Sequence, residues 1–582
     1  MAAALRPVRT GAAVLPVLSP AALPWRWRLA QQAARGLVVA GVLMPLGGAL
    51  GLALQEAASV AAWQALRDDV QTGPALRLSL MSALGSTALS TVLALGLLTA
   101  LWDRSAGARW LARLPAMLAA PHAAFAIGLA LLLAPSGWIA RLLAPLAGWA
   151  SPPDWRSVND PAAWSLTLAL ALKELPFLVW TLAAWLARPE VGPRLRAQIA
   201  LGRSLGMSAS QVWWRALWPA WSRALLWPVG AVLAYGLTVV DMALILGPGS
   251  PPTLAVLAWQ ALMDADPARN AQGAAAAVLL AGVLGAVVAG AGLVRRLTRP
   301  MRRRWQTRGI GRSSPSPLPN RPRVSGVAVA GMLAGALSAL WMAVGMALVL
   351  ASVTGVWRFP VLWPSGWTLQ PWRQVAEALP TLGLTLAVGL AAALLAVLLV
   401  LLWLAATPPH WDRSAAVVLA LPVLMPPLLL SAGLYRLALA WQLDGHAAAL
   451  VAAHALMALP YVAVGLMPAW RQADPRPMQL ALALGLSRAA VAWRVRRPML
   501  ARPLAAALAV GFAVSVAQYL PTLFLGAGRL TTVSTEAVTL AAGGQRATAA
   551  AFAVLQALLP LLAFALAARV GRGGGGGAGE RT

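Results

Sequence analysis

Cysteine is absent from this 582-residue chain, and lysine occurs once, at Lys173. Without cysteine there are no disulfides, no thiolate metal sites and no cysteine nucleophile. A phosphate-binding loop needs a lysine on the nucleotide phosphates. The lone lysine stands inside an apolar run, so hydrolysis of ATP through such a loop is excluded. Histidine is scarce as well: His122, His410, His446 and His454 are the whole set, and no two stand three or four residues apart. Neither a catalytic residue nor a metal or other cofactor held by this chain is expected.

Most of what remains is apolar. Hydrophobic residues make up 60% of the chain, charged residues only 11%, and mean hydropathy is +0.72. A soluble domain cannot cover that much apolar surface, so the composition is that of a polytopic membrane protein. Apolar runs near the length that crosses a bilayer as one helix recur twelve times: 36–58, 76–101, 114–135, 162–187, 224–247, 273–294, 325–354, 380–405, 414–435, 447–469, 503–526 and 548–568. The net charge of +29 does not imply a nucleic-acid partner. With the N-terminus inside and the sides alternating, only ten arginines fall outside, together with ten of the 17 acidic residues. This positive-inside bias puts both termini in the cytoplasm and the basic loops against anionic headgroups of the lipid bilayer.

Residues 1–35 carry arginines but no apolar core with a cleavage site, which reads as a cytoplasmic N-terminal segment. Residues 295–324 are rich in arginine, serine and proline and read as a basic cytoplasmic linker. It separates a first half, 36–294, from a second, 325–570; the glycine-rich tail 571–582 has no means of folding. The halves repeat one another. Trp102-Asp103-Arg104-Ser105-Ala106 matches Trp411-Asp412-Arg413-Ser414-Ala415, and Leu175-Pro176-Phe177 matches Leu459-Pro460-Tyr461. Gly206 to Ala258 matches Gly485 to Ala537 at a constant offset of 279. Six spans per half is an even number, so the two repeats are parallel. The expected fold is all-α and polytopic, with about twelve transmembrane helices in two parallel six-helix repeats.

The sharpest motifs follow the fourth and tenth spans. The first is Ala200-Leu201-Gly202-Arg203-Ser204-Leu205-Gly206, nine residues, then Ala216-Leu217-Trp218-Pro219. The second is Gln479-Leu480-Ala481-Leu482-Ala483-Leu484-Gly485, nine residues, then Val495-Arg496-Arg497-Pro498. A short helix, a glycine able to take positive φ and a second helix bounded by proline make a rigid knob suited to a groove on a partner.

Three charged side chains fall well inside spans: Lys173, Glu174 and Asp241. Each costs at least about 2.5–3.5 kcal/mol at mid-membrane, so each needs a partner or an aqueous cavity. Lys173 and Glu174 point about 100° apart on a helix and do not face each other. A Lys173–Asp241 ion pair with Glu174 turned to a solute pathway is one arrangement; a purely structural use of all three is the other. Pro176 and Pro460 are expected to kink their spans. Gly247-Pro248-Gly249 and Gly526-Ala527-Gly528 close the fifth spans of each half and suit an external gate.

Both loops resemble the EAA loop of ABC-importer permeases, which reads Glu-Ala-Ala, three residues, Gly, nine residues, then Ile-x-Leu-Pro. The leading glutamate is Ala200 in one loop and Gln479 in the other. Nearly the whole chain, about 36 to 570, resembles a fused, two-half, binding-protein-dependent permease of the group serving thiamine and iron(III), and a thiamine-transport permease most of all. The resemblance rests on Lys173-Glu174-Leu175-Pro176-Phe177, Asp241 with Leu246-Gly247-Pro248, Pro252-Thr253-Leu254, and Tyr519-Leu520-Pro521-Thr522. It implies the type I ABC importer permease fold, two separate ABC ATPase subunits that use ATP-Mg, a periplasmic solute-binding protein, and a small-molecule solute crossing the inner membrane by alternating access. Iron(III) and polyamine are alternative solutes. A twelve-helix secondary transporter of the major-facilitator type is the alternative class, weakly favoured by Asp103-Arg104 and Asp412-Arg413.

Overall fold

A computed structural model describes residues 25–102, 104–307 and 326–570. The segments 1–24 and 571–582, most of the 295–324 linker, and Asp103 lie outside the described residues. The described chain is helical, with a single isolated bridge between Thr354 and Trp367.

In the first half the helices that frame the site are α1 (Trp25–Ala57), α2 (Thr72–Leu101), α3 (Leu114–Ala119), α4 (His122–Leu133), α5 (Trp138–Ala147), α6 (Trp164–Leu186), α7 (Gly192–Ser204), α8 (Leu226–Thr238), α9 (Asp241–Leu246), α10 (Leu254–Leu262) and α11 (Pro267–Leu297), with shorter helices between them. The second half repeats this order, apart from α5, which has no counterpart. It contains α12 (Gly326–Ala351), α13 (Leu379–Ala406), α14 (Asp412–Leu424), α15 (Pro427–Ala440), α16 (Ala447–Gln472), α17 (Arg476–Ala483), α18 (Ala501–Val516), α19 (Leu520–Gly526), α20 (Val533–Ala542) and α21 (Arg546–Val570). The long helices are apolar on every side, as a helix with protein on one face and lipid on the other must be.

Among the described residues, 9 helices are long and apolar enough to cross a membrane, or 11 with two sharply bent pairs counted. The three expected spans missing from the nine are 224–247, 414–435 and 503–526. Each is broken in the middle. Pro426 stops α14 from running into α15, and Pro121 does the same between α3 and α4, because proline has no N–H and its ring clashes with the preceding turn. The α8–α9 break falls at Val239-Val240, where no proline or glycine marks it.

The first helix of each half packs on the other half. α1 lies against α13 and α15 as well as its own α11, and α12 lies against α2 and α4 as well as its own α21. Small residues make the contact possible. A Cβ on Gly433 of α15 would sit 2.1 Å from the Ala49 carbonyl of α1, and one on Gly128 of α4 would sit 2.7 Å from Val344 of α12. Gly128 and Gly433 occupy equivalent places in the two halves, each directly beneath the helix it receives.

Candidate functional site

Non-helical backbone at membrane depth is tolerated only where protein or an aqueous cavity satisfies it. The broken third and fifth spans of both halves therefore mark the centre of the molecule, with the continuous fourth spans α6 and α16 beside them. Val239, Val240 and Tyr519, at the fifth-span breaks, are all buried.

Adjacent residues on α6 serve the two sides of the α3–α4 break. The Lys173 ammonium donates to the Met117 carbonyl at 3.4 Å, in the last turn of α3, and lies 5.3 Å from the centre of the Trp341 ring. Glu174 meets His122, the first residue of α4, with Oε1 2.9 Å from Nε2. The His122 ring then packs 4.5 Å from that of Tyr235 on α8, whose hydroxyl donates to Asp241 Oδ1 at 3.3 Å. Both carboxylates thus belong to one connected network built on α4, α6, α8 and α9.

That arrangement corrects two expectations. No Lys173–Asp241 ion pair forms, because each group is engaged elsewhere. Asp241 also stands not within a continuous span but at the start of α9, just past the break. Pro176 and Pro460 are buried inside the unbroken helices α6 and α16; the spans break elsewhere.

The second half has no carboxylate at the matching places, Ala458 and Leu520. His454 is bonded through Nδ1 to Ser515 Oγ at 2.7 Å and through Nε2 to Thr522 Oγ1 at 3.0 Å. Tyr461 on α16 is 43% exposed, and Tyr519, at the fifth-span break, is 6% exposed. Tyr461, Val464, Gly465 and Pro468 form an exposed face of α16, and the matching residues of α6, Phe177, Trp180, Thr181 and Ala184, are also exposed or half-buried. These two helices make no extensive contact with one another, and along the same stretches their other faces are mostly buried.

At the far end from the segments that follow the fourth spans, each half pins its fifth span to the loop before its fourth. Asn159 donates from its backbone N–H to the Leu246 carbonyl at 3.1 Å and from its side chain to the Gly247 carbonyl at 2.7 Å. In the second half, the Gly445 N–H donates to the Leu525 carbonyl at 2.8 Å. Asn159 and Gly445 both have positive φ. Of the four gate glycines, Gly247 and Gly526 lie at the ends of α9 and α19, Gly249 is exposed beyond α9, and Gly528 is left-handed at φ +72.

The segments after the fourth spans match in register. α7, which carries Ala200 and Gly202, ends at left-handed Gly206 (φ +77); α17, which carries Gln479 and Ala481, ends at left-handed Gly485 (φ +85). Each end is a Schellman turn. Met207 donates to the Gly202 carbonyl at 3.0 Å and Leu486 to that of Ala481 at 3.1 Å, while Gly206 and Gly485 each donate three residues back at 3.0 Å. Ser208 and Ser487 then cap the next short helices, accepting from the Gln211 and Ala490 N–H groups at 3.2 Å. A π-helical turn follows in both, Trp213–Leu217 and Ala492–Arg496, and Pro219 or Pro498 opens the helix after it.

Three apolar side chains stand exposed at equivalent places on both segments: Leu201 and Leu480 (60% and 62%), Leu205 and Leu484 (60% and 72%), and Trp214 and Trp493 (46% and 66%). Apolar groups displayed on an arginine-rich polar loop mark a contact surface. Ala200 and Gln479 are exposed beside them. The sequence held this signal at the same 279-residue offset, but only the geometry separates exposed leucines from the many buried ones. At the root of the second segment, Arg471 grips Asp412 with two bonds of 2.8 Å and also donates to the Thr407 carbonyl. Neighbouring Trp470 lies 3.5 Å beneath the Arg496 guanidinium of the π turn.

No protein-family model matches the chain. Among curated proteins, the inner membrane ABC transporter permease protein YnjC of Escherichia coli (strain K12) is 38% identical over 537 residues, which is 92% of this chain and 95% of that protein. The thiamine transport system permease protein ThiP of Brucella abortus (strain 2308) is 27% identical over 517 residues, 86% of this chain and 88% of that protein. The same values hold for ThiP of Brucella abortus biovar 1 (strain 9-941).

Proposed function

Because this chain belongs to the family of inner membrane ABC transporter permeases, we propose that it is the membrane-spanning subunit of an ATP-driven importer, both halves fused in one polypeptide. It is a multi-pass inner membrane transporter subunit, not an enzyme. In this reading both termini face the cytoplasm. Two ABC ATPase subunits dock on the two cytoplasmic segments and hydrolyse ATP-Mg, a periplasmic solute-binding protein delivers a small molecule to the outer face, and the halves expose the central site to each side in turn.

The observation that carries the reading is the pair of matched loops, each with a left-handed glycine, a π turn and the same Leu, Leu, Trp display. A knob repeated once per half suits a motor with two equivalent subunits. A secondary transporter of the major-facilitator type has no use for it. Asp412, one of the residues that suggested that class, is occupied by Arg471. The printed name of one relative makes thiamine the first solute to test; iron(III) and polyamine follow.

The test is reconstitution of the full chain in proteoliposomes with an ABC ATPase and a periplasmic binding protein from the same genome. Uptake should need all three proteins and ATP, with two ATPase subunits per chain. Uptake by the chain alone, driven by an ion gradient, would overturn the reading.

A further inference from the structure

Around the end of α11 stand Arg295, Arg296, Arg299, Arg302, Arg303 and Arg304, six arginines within ten residues. No aspartate or glutamate occurs between Asp266 and Glu377, so the surrounding sequence supplies no countercharge. Arg295, Arg296, Arg299 and Arg302 form no salt bridge among the described residues. The Arg302 Nε is buried there without a hydrogen-bond partner. The stretch is helical throughout. α11, 31 residues long, passes into a short helix, Arg299–Thr307. Backbone bonds from Thr298 to Val294 and from Arg302 to Thr298, both 2.9 Å, carry the turn across the junction. Leu293, Leu297 and Met301, four residues apart, are 55%, 67% and 66% exposed and make one apolar stripe. Arg296, Arg299 and Arg303 are exposed on another face.

At 1.5 Å per residue α11 is about 46 Å long, against about 30 Å of hydrocarbon core. With Asp264 and Asp266 at the opposite end, its last turns reach the headgroup layer. An apolar stripe beside exposed arginines at that depth is the pattern of a helix lying on anionic phospholipid. An acidic protein or a nucleic acid would match the charge and leave the stripe unused. The same stretch also touches the first loop. Arg302 Nη2 donates to the Arg295 carbonyl at 2.7 Å, and Arg295 Nη1 donates to the Ser222 carbonyl at 3.3 Å. Ser222 lies in the helix Trp218–Ala224, which carries Pro219 of the first loop motif. The second half has no such cluster after its last helix: residues 570–579 hold one arginine, Arg572, among glycines. Resting on the permease reading above, which makes that loop a docking site, we propose that Arg295 to Arg304 and the Leu293, Leu297, Met301 stripe bind anionic phospholipid. The bound lipid holds the first loop, and not the second, to the bilayer surface.

The experiment titrates the full chain in neutral detergent with phosphatidylglycerol, read by native mass spectrometry, without ATPase or receptor. Phosphatidylglycerol should bind in preference to phosphatidylcholine, and the soluble headgroup glycerol phosphate should not compete. The triple variant Arg296→Gln, Arg299→Gln, Arg303→Gln should bind at least about tenfold more weakly. The same three positions changed to lysine should bind like the native chain. No preference for phosphatidylglycerol, or competition by glycerol phosphate, would overturn the site. So would an equal loss from Arg488→Gln, Arg494→Gln, Arg497→Gln in the second loop, which would reduce the effect to net charge. Because the chain lacks cysteine, a single nitroxide label can read the tether, placed at Arg223→Cys or at the matching Arg502→Cys. In nanodiscs, replacing phosphatidylcholine by phosphatidylglycerol should slow the label at 223 and leave the one at 502 unchanged. An equal response at both, or none at 223, would overturn the tether. Neither readout involves ATP or solute, so the site can fail while ATP-driven uptake stands, and the reverse.

Discussion

Gly206 and Gly485 have φ of +77 and +85, and a Cβ at either would meet nothing within 4 Å. Space therefore does not require glycine there; the backbone does. An L-residue in the left-handed region costs about 1–2 kcal/mol, less for asparagine. Proline cannot adopt that φ at all. Asparagine at both positions should leave uptake nearly unchanged, whereas the Gly206→Pro, Gly485→Pro double variant should keep ATP hydrolysis while losing most uptake. Measuring transport per ATP in proteoliposomes checks this, and unchanged uptake by the double-proline variant would count against the coupling role. Here the sequence was sufficient, because a glycine between two short helices announces its own φ. Glu174 was different: sequence places it in the membrane but cannot name His122 as its partner, 52 residues away.

Among the elements, the broken spans and the π turns depart furthest from a reading by hydropathy. An apolar run of twenty residues looks the same whether it is one helix or two. Val239-Val240 carries no local stop signal, so the break is imposed by what packs around it. The root of the second Schellman-turn segment is also an element-level device. Trp470 carries Arg496 of the π turn, and Arg471 holds Asp412 at the start of the broken third span. Removing one partner of this half-buried, two-bond pair leaves the other unpaired. Asp412→Asn or Arg471→Ala should lower transport per ATP several-fold, and the exchanged pair Asp412→Arg, Arg471→Asp should recover part of it. Equal coupling ratios in all four chains would show the contact to be idle.

For the whole molecule, the exchange of α1 and α12 means that neither half is a closed bundle. Each half's core is completed by a helix from the other, over Gly433 and Gly128. Two separately expressed fragments, divided between 307 and 326, should therefore co-purify and restore uptake when produced together. Gly433→Leu should weaken their association and lower the thermal stability of the intact chain by about 1–3 kcal/mol, the usual cost of overpacking. Fragments that separate in mild detergent would be the contrary result.

Composition, charge asymmetry and the repeat by themselves determined that this chain is an all-α polytopic membrane protein, duplicated and carrying two matched loops. Hydrophobicity, positive-inside bias and glycine backbone freedom are local properties that any stretch of chain carries with it. Tertiary structure alone decided where spans break, which helices change sides, and which side chains meet Lys173, Glu174 and Asp241. Those outcomes depend on groups far apart in the chain competing for the same buried space, and a buried charge takes the partner that packing brings to it.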